Sequence, residues 1–174
     1  MVRMKRRIES VESPPVAGGG LLHPVPLAGV CLLLLNDHYL KRAAPGWATG
    51  KLSDVAGMLF FPLFLQALIE MGQVASRRSW KPSMRVLVGC TVATAVVFAL
   101  TKCWAPATLL YEYVVAWLQF PFRWAFRGIE HTGRVHLVRD PSDLVALPFA
   151  LVPLMIARRE GPLVSRARTT PRAG

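Results

Sequence analysis

Apolar and polar positions in this chain neither alternate nor form narrow stripes; they separate into long blocks. Val16 to Leu35, VAGGGLLHPVPLAGVCLLLL, holds His23 as its one polar side chain and would reach about 30 Å as a helix, enough to cross a hydrocarbon core. Gly18 to Gly20 move the helix start toward Leu21, and the helix then continues through NDHYL to Leu40. Three further runs follow: Val55 to Ile69 between Asp54 and Glu70, Val86 to Leu100 without a charge, and Leu144 to Ala157 before Arg158 and Arg159. Runs this short also occur as buried helices of soluble proteins, but those carry one apolar stripe, whereas these are apolar on every side.

The pattern predicts an all-α fold, an integral membrane bundle of four transmembrane helices. Ala107 to Phe126, ATLLYEYVVAWLQFPFRWAF, fits less simply. Its seven aromatic residues are interleaved with Glu112, Gln119, Pro121 and Arg123, which suits an interfacial helix at headgroup level; a fifth span is the alternative. The expected organisation is a basic disordered tail at 1–15, one transmembrane helical domain at 16–158 and a second basic disordered tail at 159–174. A basic stretch ahead of an apolar run also resembles a signal peptide, but LLLLNDH offers no small-x-small cleavage site, so an uncleaved anchor is expected.

Composition supports this picture: 53% of the 174 residues are hydrophobic and only 18% charged, with a mean hydropathy of +0.37. Nine of the 21 basic residues lie in the tails, Arg3, Lys5, Arg6 and Arg7 at one end and Arg158, Arg159, Arg166, Arg168 and Arg172 at the other. Charge so placed suits anionic lipid headgroups, and without a nucleic-acid-binding module nucleic acid is not an expected partner. With four spans and a cytoplasmic N-terminus, 13 of the 21 Lys and Arg fall on the cytoplasmic side; five spans reduce that number to 12. The expected location is therefore a bacterial inner membrane, with lipids as partners and a protein partner or second copy left open. Cys31, Cys90 and Cys103 form no CxxC pair and read as small apolar residues.

GWATGKLSD, from Gly46, begins like a phosphate-binding loop, but only three residues separate Gly46 from Gly50 and Leu52 follows Lys51 where a hydroxyl is needed. The stretch reads instead as a helix entry in which Ser53 or Asp54 caps the first turn. RDPSDL reads likewise, with Asp140 as N-cap, Pro141 at the first helical position and Asp143 at the third. With four spans these entries and NDHYLK share the outer face. Asp54, Asp143 and His38 are then candidate catalytic residues, and Asn36, Asp37, Lys51, His136, Arg139 and Asp140 candidate binding residues. Interhelical ion pairing, for example Asp54 with Arg139, is an equal alternative. No HExxH or other close ligand spacing appears, and no metal or cofactor is expected.

KLSDVAGMLFFPL, LQFPFRWAF and DPSDLVALPFALV resemble elements of the VanZ-like family of small bacterial membrane proteins: an acid-bearing entry to the second span, a Gln-x-x-x-Pro-x-Arg stretch, and an Asp-Leu helix start. The resemblance covers about half the chain and implies roles for Asp54 and Asp143, with Gln119 and Arg123 behind them. The chain departs from the family in lacking a histidine after Asp54 at helical spacing, in having ALPF where Asn-x-x-Gly is usual, and in its long interval between Gln119 and Asp143. The functional expectation is a structural or interaction role in the cell envelope, followed by an envelope enzyme acting on a lipid or lipid-linked substrate, then a small transporter. For the transporter, Gln66, Thr91 and Thr94 are sparse polar groups at mid-membrane.

Overall fold

The computed structural model of the chain describes residues 16–44, 46–127, 133 and 135–160; His131, the N-terminal tail and most of the C-terminal tail lie outside them. All regular structure among the described residues is helical. The α-helices are α1 (Pro24–Leu35), α2 (Lys41–Ala43), α3 (Trp47–Ala75), α4 (Met84–Cys103), α5 (Ala105–Arg127) and α6 (Val152–Glu160). A 3₁₀ segment over Pro141–Leu151 leads into α6, and a π turn over Asn36–Leu40 joins α1 to α2.

Three helical stretches are long and apolar enough to cross a membrane: Trp47–Ala75, Met84–Cys103 and Pro141–Arg159. The first apolar block departs from the single long helix expected of it. Gly18 takes the left-handed conformation (φ 75°), the chain makes a short 3₁₀ turn over Gly19–Leu22, and α1 begins only at Pro24, capped by the His23 side chain. The glycines and prolines at its beginning define a helix start instead of continuing one, so just 12 residues, about 18 Å, are α-helical before the π turn.

The other runs extend beyond their apolar cores. Helix α3 starts two turns before Val55, where the Gly46 amide donates to the Thr49 hydroxyl (3.2 Å), so Ser53 and Asp54 lie inside the helix and do not cap it. It ends in a Schellman arrangement: Arg77 adopts φ 53°, its amide bonds the Val74 carbonyl, and the Arg78 amide reaches the Gln73 carbonyl at 3.0 Å. The last run contains Pro148 and Pro153, which donate no amide hydrogen, and the 3₁₀ winding over Pro141–Leu151 takes in its first eight residues. With a rise of about 2 Å per residue, that winding gives a short segment more reach than an α-helix would.

Helix α3 is the hub, packed by α1, α4 and the 3₁₀ segment, while α5 packs on α4. Its contact with α1 is close at Gly29, where a Cβ would stand 3.1 Å from the Ala56 carbonyl oxygen and 3.4 Å from the Leu59 Cβ. Small buried residues of the last segment, Ala146, Ala150 and Ala157, seat it against α3 and α4 in two apolar clusters, one with Met58 and one with Leu63 and Leu87. The opposite faces carry exposed Leu68, Ile69, Val92, Val96, Val145 and Met155, a surface that suits hydrocarbon rather than water. Replacing Gly29 with valine should lower stability by about 1–3 kcal/mol through forced separation of α1 from α3. Thermal unfolding of the purified protein in detergent measures it, with Gly89→Val, at a position with open space around it, as the control.

Candidate functional site

Four ionisable side chains meet at the end of the bundle where α3 begins, α4 ends and the 3₁₀ segment starts. Lys51 and Asp54, three residues apart on α3, lie on neighbouring parts of one helix face, and Lys102 reaches them from the last turn of α4. Lys51 Nζ donates to Asp143 Oδ1 (2.8 Å) and to the Ser142 hydroxyl (2.8 Å). Lys102 Nζ donates to Asp143 Oδ2 (2.6 Å) and Asp54 Oδ2 (3.2 Å). Lys51, Lys102 and Asp143 are buried and Asp54 half-buried, and the two positive and two negative charges cancel. Aromatic faces cover both ammonium groups, Trp47 over Lys51 at 4.8 Å and Phe98 by Lys102 at 5.5 Å.

A second polar link joins α1 to the same end. Asn36, fully buried in the π turn, donates from Nδ2 to the Thr49 carbonyl (2.6 Å) and the Ser53 hydroxyl (2.7 Å), and Ser53 donates in turn to Asp37 Oδ1 (3.1 Å). Asp37 also pairs with Lys41 one turn on, at 2.6 Å. The π turn supplies one extra residue, a local change of helical register of the kind that re-aims side chains at working sites.

The expected convergence of the outer-face residues is thus realised for Asn36, Asp37, Lys51, Asp54 and Asp143, and not for the rest. His38 is exposed on the π turn, and Arg139 is exposed and forms no ion pair with Asp54, whose partner is Lys102. Asp140 is the N-cap expected of it, accepting from the Ser142 amide at 2.9 Å, and Ser142 holds its carboxyl below the usual range. Asp143, expected to close a capping box, is directed toward the two lysines instead. His136 belongs to a separate contact: Glu112 on α5 accepts from the Leu137 amide (2.7 Å) and meets His136 Nδ1 (3.1 Å).

Lys102 is the member that sequence reasoning missed. It follows the charge-free run Val86 to Leu100 by two residues, and a lysine at the end of one apolar run, at the same end of the bundle as acids opening two others, is a signal of charge pairing. Glu70, taken as another boundary, is also buried; it accepts from the Gly18 amide (2.9 Å) and Gln66 Nε2 (2.8 Å), pinning the entry to α1 onto the far end of α3.

Beside the quartet a cavity of about 350 Å³ runs between α3 and α4, roofed by Tyr111 of α5 and by Leu137. Among the described residues no group of three His, Cys, Asp or Glu side chains is placed to hold a metal ion. No family model, curated protein or solved structure matches the chain.

Charge balance predicts how the quartet responds to mutation. Lys102→Met leaves two acids against one lysine and should destabilise the protein by about 3–5 kcal/mol, the usual cost of breaking a buried pair from one side. Adding Asp54→Asn restores neutrality and should recover more than half of that loss, read as unfolding midpoints in detergent.

The Leu137 amide, then His136, hold the Glu112 carboxyl below its usual value of 4.5. A depressed acid stabilises docking of 136–137 above that value and releases it as pH falls through the lower folded value. A nitroxide on Val138→Cys, in a background without the native cysteines, should therefore be restrained at pH 7, begin to loosen only once the pH has fallen below 4.5 and become mobile at more acid pH, whereas with Glu112→Ala it should be mobile throughout.

Proposed function

We propose that this chain is a multi-pass membrane protein with a structural or interaction role in the cell envelope, its helices locked so that they offer a fixed surface within the bilayer. The pairing of charges within the quartet carries this reading. Both oxygens of Asp143 accept from lysines, Lys102 donates to both acids, and Lys51 donates also to Ser142, so the charges act as cross-braces between three elements. A general base needs an oxygen within reach of a substrate proton, and Asp143 is buried behind two ammonium groups.

The topology that fits is four membrane segments, with Val16–Leu35 as the first, α5 at the headgroup level and the N-terminus on the cytoplasmic side of a bacterial inner membrane. The excess of Lys and Arg on that side supports it, as do the exposed rings of Tyr113, Trp117 and Trp124 on α5. The basic tails then face anionic lipid headgroups. Both acids of the likeness to VanZ-like proteins, Asp54 and Asp143, belong to the quartet, which is compatible with a shared architecture.

An envelope enzyme acting on a lipid-linked substrate is the second reading, favoured by the position of Asp54 at the cavity wall. A transporter ranks third, since the Thr91 and Thr94 hydroxyls bond carbonyls of their own helix, at 2.9 and 2.8 Å.

Single cysteines at Gly50 and Val138, in a background without Cys31, Cys90 and Cys103, test the topology. A membrane-impermeant maleimide added to intact cells should label both. Labelling of one alone places the helix entries on opposite faces and overturns the arrangement.

A further inference from the structure

The cavity between α3 and α4 is graded along its length. At one end it is lined by Ser53, Asp54, Thr101 and Lys102, with Tyr111; beyond them come Gly57, Met58, Phe61 and Leu65 of α3 facing Ala93, Val97 and Phe98 of α4. From Asp54 to Leu65 along α3 is about 16 Å, so the apolar part is long and narrow, and its volume lies near the lower limit of small-molecule sites. Thr94 offers it no free donor, because its hydroxyl donates to the Cys90 carbonyl.

The polar end has a defined hydrogen-bonding character. Ser53 donates to Asp37, Thr101 donates to the Phe98 carbonyl at 2.9 Å, and Lys102 is held between two carboxylates. Asp54 binds Lys102 through Oδ2 and lies beside the Asp143 carboxyl, while among the described residues no N–H or hydroxyl donates to Oδ1. The lining therefore presents an acceptor of negative character and no uncommitted cation. An anionic head would meet Asp54 without compensation, whereas a hydroxyl head would donate to Oδ1 in a charge-assisted bond.

We propose that this groove binds a neutral, single-chain amphiphile with a hydroxyl head, as in a monoacylglycerol or long-chain alcohol, its hydroxyl on Asp54 Oδ1 and its chain along Met58, Phe61, Leu65 and Val97. The site goes beyond the bracing role of the quartet, borrowing its one incompletely used oxygen. It rests on the reading of α3 and α4 as membrane helices, which the maleimide labelling tests separately.

The experiment is equilibrium binding of radiolabelled 1-monooleoylglycerol to the purified full chain in phosphatidylcholine nanodiscs, with empty nanodiscs subtracted. Saturable binding is expected, displaced by oleyl alcohol and at least tenfold less well by oleate at pH 9, where the carboxylate is ionised. Ala93→Phe, at an exposed position on the groove wall, should reduce affinity at least tenfold with an unchanged unfolding midpoint. Asp54→Asn should weaken binding about tenfold by removing the charged acceptor. Absence of a saturable component, oleate binding as tightly as the glyceride, or a folded Ala93→Phe protein with unaltered affinity would each overturn the proposal.

Discussion

An ammonium group buried between two carboxylates, Lys102 between Asp54 and Asp143, is the contact through which three elements of this structure constrain one another. In hydrocarbon a charge is costly alone and acceptable when matched, so each member requires the others in place. The requirement reaches across three elements far apart in the chain, the start of α3, the end of α4 and the start of the 3₁₀ segment. Apolar packing between helices surrounded by lipid gains little from the hydrophobic effect, because lipid tails are as apolar as leucine. Ion pairs and small-residue contacts such as Gly29 against Ala56 therefore determine which helices are neighbours and in what register.

The two ends of the bundle solve the same problem differently. One end holds a neutral quartet, extended toward α1 by Asn36, Ser53 and Asp37. The other holds Glu70, satisfied by the Gly18 amide and the Gln66 side chain. Both tie α3 to what surrounds it, and both use residues that mark the limits of apolar runs. Between them the polar groups of α4 are threonines turned back onto their own helix, which leaves the middle of the bundle apolar.

Much of this was legible in the sequence. The apolar blocks located the three long helices because length and all-round apolarity are local properties, and the RDPSD cap was legible because Asp before Pro has few alternatives. The convergence of Lys51, Asp54 and Asp143 followed from placing helix ends on one face. Pairing did not follow, since which lysine meets which acid depends on helix neighbours: Arg139, adjacent to Asp140 in sequence, stays exposed, while Lys102 from another helix takes the site. The cap assigned to Ser53 and Asp54 failed because the apolar run began later than the helix did. Gly46 and Thr49 carried the true start, in a polar stretch whose pattern gave no period.

The 3₁₀ winding of Pro141–Leu151 acts as a phase setting as well as a spacer. Between Asp143 and Ala150, a change from about 120° to about 100° per residue would turn one relative to the other by roughly 140° and draw them some 3.5 Å closer along the axis. Ala150 is fixed in its cluster with Met58 and Ala146, so α-helical rewinding would swing Asp143 off both lysines. The winding of the last segment and the charge state of the quartet are therefore one coupled variable: whatever alters either is felt by the other across two turns of helix.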